Sequence, residues 1–186
     1  MPTIFLAVTG TQGSGKSVFT EVAKEKYQIP SFRLGDIVIT ECEKKGLEVN
    51  GKNMAKMATM LRYEKGPQAI AAMAVPKIKK FIKDNPKLIL IDGVRSHAEL
   101  AYLEEELGEV ILVAIITTLS TRKQRIEARK RIDNETMGDF EEREQRELGF
   151  GLGDVITKAD HFILNEGITK EAFTHQIEEL LEKIIK

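Results

Sequence analysis

Residues 10–17, GTQGSGKS, combine glycines, a lysine and a serine at a spacing that suits phosphate binding. The stretch fits the pattern GxxxxGK[ST] and lies between an apolar run and a helical pattern. In such a loop, backbone N–H groups surround a phosphate, the lysine reaches the β and γ oxygens, and the serine hydroxyl can bind Mg²⁺. We therefore predict a nucleoside triphosphate site whose ATP-binding residues are Gly10, Thr11, Gln12, Gly13, Ser14, Gly15, Lys16 and Ser17.

A second group of reactive side chains follows the aliphatic run 88–91, where Asp92 ends the run and Arg95 comes three positions later. A carboxylate at the carboxyl end of a neighbouring core strand lies beside the phosphate loop, where it can hold Mg²⁺ together with Ser17. A magnesium site does not need a guanidinium three residues further on, whereas a second anion opposite the γ-phosphate does. Two simpler interpretations stay open: Asp92 as a helix cap and Arg95 as a solvated surface charge.

The positions of these residues depend on the strands and helices that alternate along the chain. Strands are expected at 3–9, 31–34, 87–92, 109–117 and 161–165, and helices at 16–27, 36–45, 51–65, 67–83, 97–107, 120–132 and from 169 onward. Continuous aliphatic strands between helices predict an α/β fold, with a parallel sheet covered by helices on both faces. The length of 186 residues favours one domain over residues 1–186.

The composition narrows the function classes. With 28 Lys and Arg against 29 Asp and Glu, the net charge of −1 gives no global attraction to nucleic acid or membrane. The single cysteine, Cys42, excludes an internal disulfide and fits a reducing compartment. The start of the chain shows no signal peptide or membrane span, so we expect a cytoplasmic protein. His97, His161 and His175 lie too far apart in sequence to indicate a metal cage.

Three stretches resemble a known enzyme family. The phosphate loop, LGD at 34–36 and DGVR at 92–95 resemble, in that order, the phosphate loop, the acceptor-site GD and the DGxPR segment of adenylate kinase and its nucleoside monophosphate kinase relatives. ADHFILNEG at 159–167 is similar to the end of dephospho-coenzyme A kinases. Over its whole length the chain looks most like the archaeal adenylate-kinase-related proteins.

The resemblance implies a P-loop NTPase-type kinase that uses ATP and Mg²⁺. Its acceptor would be a small nucleotide-like molecule, with AMP or another nucleoside monophosphate as the first choice. A hydroxyl acceptor of the dephospho-coenzyme A type is an alternative, and so is a non-kinase ATPase or nucleotide-sensing module.

For the acceptor, the resemblance implies a helical binding insert at about 35–85. Within and beside it, Arg33, Asp36, Arg62 and Arg95 would frame the acceptor phosphate and its sugar. Asp36 fits a helix N-cap equally well, and Arg62 fits simple charge complementation at a helix end. Val94 stands where adenylate kinases carry an aromatic–proline pair, which weakens the inference that the acceptor is AMP.

For the donor, the resemblance implies an arginine-rich lid at about 122–158 that closes over ATP. The lid residues would be Arg122, Arg125, Arg131, Arg143 and Arg146, the catalytic set Lys16, Asp92, Arg125 and Arg129, and further ATP contacts Arg129 and Asn165. Gly149, Gly151 and Gly153 would supply hinge freedom. A solvated helix with internal salt bridges produces the same charge pattern.

One rival from another class is a GTP-binding switch, for which TKAD at 157–160 offers a TKxD guanine-recognition motif. That motif should follow a core strand, whereas here it precedes the apolar run 161–165, and Asp92 lacks the DxxG spacing of a switch. The order of the segments therefore favours the kinase interpretation.

Overall fold

In the described part of the chain, five strands form one parallel sheet in the order β2-β3-β1-β4-β5. The structure is a computed structural model that describes residues 2–133 and 137–186, with side chains for 2–128 and 138–186. The strands are β1 (Ile4–Thr9), β2 (Ser31–Arg33), β3 (Leu88–Asp92), β4 (Val110–Ile116) and β5 (His161–Leu164). The helices are α1 (Lys16–Tyr27), α2 (Gly35–Lys44), α3 (Gly51–Lys65), α4 (Ala69–Phe81), α5 (His97–Leu107), α6 (Leu119–Asp133), α7 (Met137–Gly149), α8 (Leu152–Ile156) and α9 (Lys170–Ile185).

Helices cover both faces of the sheet, as the aliphatic strands predict. In β1, Phe5 and Ala7 pack into a core with α2, α3, α4, α5 and α8, while Leu6 and Val8 point the other way, toward α1 and α9. Because successive side chains of a strand face opposite sides, a strand that is buried on both sides must be apolar throughout. The predicted α/β fold class is confirmed.

The helix boundaries follow local capping chemistry. The side chains of Asn50, Ser96 and Thr169 accept hydrogen bonds from the third residue beyond each and begin α3, α5 and α9. The helix predicted over 67–83 is shorter, because α4 passes into a 3₁₀ turn at Ile82–Asp84. No described helix is both long and apolar enough to cross a bilayer.

The interpretation of Asp36 as a helix N-cap is wrong. α2 begins at Gly35, so its N-cap position is Leu34 and Asp36 lies inside the first turn. There Asp36 accepts a hydrogen bond from Arg33 Nε at 2.7 Å instead of capping the helix.

The segment predicted as a lid contains α6, α7 and α8. Leu152 and Val155 of α8 are buried in the core that also contains Ala7, so this end of the segment is packed against the sheet. Of the predicted hinge glycines, Gly151 has a φ of 96° and precedes α8, while Gly153 lies within it. Arg129 and Arg131 lie outside the residues whose side chains are described.

Candidate functional site

The phosphate loop connects β1 to α1, and three of its glycines adopt positive φ angles. These are Gly10 at 143°, Gly13 at 82° and Gly15 at 116°. A Cβ atom on Gly15 would lie 2.6 Å from Asn165 Nδ2 and 2.8 Å from Phe173 Cε1. The backbone conformation and the packing beneath the loop therefore both require glycine at this position.

Lys16 bends back onto the loop. Its Nζ donates hydrogen bonds to the carbonyl oxygens of Gly10 at 2.6 Å and Thr11 at 2.9 Å. Burial, followed by the positive charge of Arg95, lowers the pKa of Lys16 to about 7, and Asp92 opposes that shift. A cation held in a cationic environment is stabilised by an incoming anion, so this part of the site favours a phosphate.

Three side chains hold the loop from the side of β4 and β5. The Ser14 carbonyl accepts hydrogen bonds from Asn165 Nδ2 at 2.8 Å, Thr117 Oγ1 at 3.2 Å and Arg125 Nη1 at 3.5 Å. Arg125 Nη1 also donates to the Gly13 carbonyl at 3.1 Å. The structure thus places Arg125 and Asn165 against the loop backbone. Thr117 was not predicted, although its position directly after β4 was an available signal.

Asp92 ends β3 beside β1, where it lies in register with Val8. Its Oδ1 atom is buried and accepts no hydrogen bond from the described residues. Burial raises the pKa of Asp92, and the positive charges of Lys16 and Arg95 oppose that rise. The interpretation of Asp92 as a helix cap is wrong, because Ser96 occupies the N-cap position of α5.

The residues at this point fit Mg²⁺. Asp92 Oδ1 has no hydrogen-bond partner among the described residues, the exposed Ser17 supplies a hydroxyl, and Mg²⁺ prefers a few oxygen ligands completed by water and phosphate. Within the part of the chain whose side chains are described, no group of three His, Cys, Asp or Glu residues forms a separate metal cage.

A cleft of about 1040 Å³ opens between α3 and α7, with the loop after β3 also lining it. Apolar side chains of α2 and α3, including Val38, Met54 and Ala58, form part of its wall. Its charged lining includes Arg62, Arg95, Arg143, Arg146, Glu99 and Glu147. The predicted acceptor residues Arg62 and Arg95 are thus brought together in one cavity.

Arg62 is held in place on several sides. Its Nη2 donates to Glu99 Oε1 at 2.6 Å, its Nη1 donates to the Ala58 carbonyl at 3.2 Å, and its guanidinium stacks on Phe150 at 4.2 Å. Glu99, which is fully buried, also accepts the Arg95 backbone N–H at 2.8 Å. Sequence reasoning missed Glu99, although the Ser96–Glu99 spacing of a capping box was a usable signal.

Arg95 is not the solvated surface charge that one interpretation allowed. Its side chain is 25% exposed and forms an ion pair with Glu147, which is 5% exposed. Burial, followed by the positive charge of Arg143, lowers the pKa of Arg95 to about 10. Behind it, the Thr9 hydroxyl donates to the Val94 carbonyl at 2.7 Å and fixes the loop.

The other predicted residues occupy different environments. Arg33 and Asp36 pair with each other, about half exposed, next to the cleft residues Leu34 and Gly35. Arg122 is buried and donates to both oxygens of Glu144 at 2.6 and 2.7 Å. Arg146 lines the cleft, and burial lowers its pKa.

The TKxD segment lies away from the phosphate loop. Asp160 precedes β5, at the amino end of the strand, and its Oδ2 accepts the Leu112 N–H at 2.7 Å. The phosphate loop lies at the carboxyl end of β1, which is the opposite edge of a parallel sheet. Asp160 therefore cannot read a base bound with its phosphates in that loop.

A glycine-rich phosphate loop after the first strand, a parallel sheet and a neighbouring cleft define a P-loop NTPase with a kinase-like fold. The solved structures agree on the fold. A shikimate kinase from Bacteroides thetaiotaomicron superposes with a TM-score of 0.57 at 12% identity, covering 96% of this chain and 98% of that one. TT1252 from Thermus thermophilus superposes with a TM-score of 0.60 at 16% identity, covering 98% of each chain.

Sequence relatives define the family more narrowly. Residues 9–148 match the family described as an AAA domain. A UPF0200 protein from Thermococcus gammatolerans is 43% identical over 189 residues, covering 98% of this chain and 96% of the relative. The chain belongs to the UPF0200 family.

Proposed function

We propose that the protein is an ATP- and Mg²⁺-dependent phosphotransferase that moves the γ-phosphate to a nucleotide-like acceptor. The observation that carries the proposal is the connection between the phosphate loop and the arginine-lined cleft. Arg95 and Arg143 line the cleft and also lower the pKa of Lys16, so the cleft and the phosphate loop share one cluster of positive charge. A donor phosphate and an acceptor anion could meet at that cluster.

The proposed mechanism relies on positioning and charge neutralisation. Lys16 would bind the β and γ oxygens, and Mg²⁺ on Ser17 and Asp92 would neutralise charge on the triphosphate. Arg62 and Arg95 would bind and orient the acceptor for in-line attack. In the proposed closed state, Arg125 would release the carbonyl oxygens of the phosphate loop and bind phosphate oxygens of ATP. Arg129 of the same helix would also contact ATP.

A nucleoside monophosphate is the proposed first choice of acceptor, because its phosphate is already anionic and needs no strong base. The alternative, a hydroxyl acceptor, is supported by Asp36. Its side chain is 51% exposed near Asp92, so it could accept the proton of an attacking hydroxyl.

The test is Mg²⁺-dependent release of ADP from ATP, measured without acceptor and then with AMP, CMP, UMP, GMP or dephospho-coenzyme A. We expect one of them to stimulate turnover. Lys16→Ala should reduce that turnover by at least about 100-fold, the loss that follows removal of one transition-state donor. Lys24→Ala, an exposed lysine on the same helix, is the matched control and should behave as wild type.

Wild-type turnover in Lys16→Ala would contradict the mechanism. Mg²⁺-dependent ADP release that is indifferent to every acceptor would instead favour an ATPase or a nucleotide-sensing module.

A further inference from the structure

Glu147 is a buried carboxylate in the wall of the proposed acceptor cleft. It lies in the last turn of α7, lines the cleft, and its side chain is only 5% exposed. A carboxylate removed from water is costly unless positive partners compensate it. The positive groups around Glu147 therefore form a binding position for an anion.

Two guanidiniums from different elements compensate Glu147. Arg143, one turn earlier on α7, donates its Nε to Glu147 Oε1 at 2.8 Å. Arg95, from the loop after β3, forms an ion pair with the same oxygen. Since Arg95 and Arg143 also act electrostatically on Lys16, the carboxylate occupies the cationic region beside the phosphate loop.

The arginine partners of Glu147 are more exposed to the cleft than the arginines that pair with Glu99 and Glu144. The side chains of Arg95 and Arg143 are 25% and 40% exposed. In contrast, the Arg62 side chain that pairs with Glu99 is 9% exposed, and the Arg122 side chain that pairs with Glu144 is 6% exposed. An incoming anion can therefore approach the partners of Glu147 without dismantling a core ion pair.

We propose that Glu147 is the resident counter-anion of the acceptor site, and that the phosphate group of the acceptor must displace it. The inference rests on the proposed function and adds a rule of specificity to it. A phosphate dianion carries more charge than a carboxylate and can bind two guanidiniums at once. A neutral acceptor cannot take the place of Glu147, because it would not replace the negative charge that the carboxylate supplies to Arg95 and Arg143. Glu147 thus restricts the acceptor to molecules that carry a phosphate group.

The displacement has a measurable consequence. When only a fraction of the protein is competent to bind, the apparent dissociation constant is the intrinsic constant divided by that fraction. If the Glu147 pair is formed in about nine-tenths of the molecules, removing its charge tightens binding of a competing phosphate about 10-fold.

The experiment is calorimetric titration of inorganic phosphate into the full chain carrying Lys16→Ala, which weakens phosphate binding at the loop. Adding Glu147→Gln should lower the dissociation constant about 10-fold. Glu142→Gln is the matched control, because Glu142 lines the same cleft on the same helix and the charge change is identical. It should change the constant by no more than about two-fold, as expected for a charge that is not displaced.

Two results would overturn the inference. One is unchanged or weaker phosphate binding in Glu147→Gln. The other is an equal gain in phosphate affinity in Glu142→Gln, which would indicate that removing any negative charge from the cleft has the same effect. If Glu147→Gln does not fold, amide hydrogen exchange of the wild-type protein tests the displacement instead. Phosphate should speed exchange in the last turn of α7, whose anchor it releases, and unchanged or slower exchange there would contradict displacement.

These readouts use neither ATP nor turnover, so they remain valid if the phosphotransferase proposal fails. Conversely, efficient phosphorylation of an uncharged nucleoside by wild type would overturn the role of Glu147 while leaving the phosphotransferase intact.

Discussion

Among single residues, Lys16 shows how the phosphate loop is suited to an anion. Its pKa of about 7 means that much of the free protein carries a neutral lysine above neutral pH. Bound phosphate oxygens favour the ammonium form, which raises the pKa in the complex. Nucleotide binding and proton binding are therefore linked.

We predict that ATP binding at about pH 8 takes up close to one proton. Each pH unit above the pKa of the free lysine reduces its protonated fraction about tenfold, so ATP affinity should fall as pH rises above about 7. Calorimetry in buffers of different ionisation enthalpy measures the uptake. Binding heats that do not depend on the buffer at about pH 8 would contradict the prediction, and at about pH 5.5 the uptake should vanish.

The sequence predicts those site residues whose type and spacing are typical of one kind of structure. Gly15, Lys16 and Asp92 follow from a phosphate loop and a strand end. A capping-box spacing signals Glu99, but the burial of Glu99 and Glu147 could not be found in this way, because a glutamate in a charged helix usually belongs to a solvated face. Their burial depends on arginines that are distant in sequence, and only the folded chain brings these together.

At the scale of elements, the phosphate loop depends on the segments beneath it. Asn165 follows β5 and Phe173 lies in α9, and both would contact a side chain placed at Gly15. The shape of the loop is therefore fixed by the carboxyl-terminal part of the chain as well as by its own glycines.

We predict that Gly15→Ala abolishes measurable ATP binding, whereas Gly46→Ala does not affect it. Both glycines have positive φ, so both variants should lose about 1 kcal/mol or more of unfolding free energy from backbone strain. Of the two positions, only Gly15 brings the new methyl group against other atoms, since no atom of the described residues lies within 4 Å of a Cβ at Gly46. ATP titration with parallel thermal unfolding measures both effects, and retained ATP affinity in Gly15→Ala would contradict the packing argument.

Element boundaries were predictable where capping residues mark them. The bounds of α3 and α5 are those expected from sequence, because Asn50 and Ser96 begin these helices and Gly66 and Gly108 follow them. α8 was not anticipated, since a helix of five residues that includes Gly153 gives too short a periodic pattern to recognise.

Over the whole molecule, the cleft joins two parts of the chain that are distant in sequence. Arg62 belongs to the helical segment before β3, and Phe150 follows α7, yet their side chains stack at 4.2 Å. This contact links the two walls of the cleft directly.

We predict that Phe150→Ala raises the KM for the acceptor several-fold and leaves the ATP dissociation constant unchanged. A cation–π contact shielded from water is worth about 2 kcal/mol, and its loss should let Arg62 move. Phe162→Ala, on the exposed face of β5, is the control and should change neither constant. Equal effects on ATP and acceptor would place Phe150 on the donor side instead.

The sheet order could not be derived from the sequence alone. Alternating strands and helices predicted parallel strands, but the placement of β3 between β2 and β1 depends on how the crossover helices pack. The separation of the TKxD segment from the phosphate loop depends instead on the parallel direction of the strands, because one precedes β5 and the other follows β1.

Cys42 lies in the core between the sheet and the α2–α4 segment and is fully buried. A maleimide or a disulfide reagent can reach its sulfur only when this core opens. The rate of thiol labelling thus reports the opening of the core, without an engineered probe. For the same reason, an introduced surface cysteine can be labelled selectively while the native one remains in place.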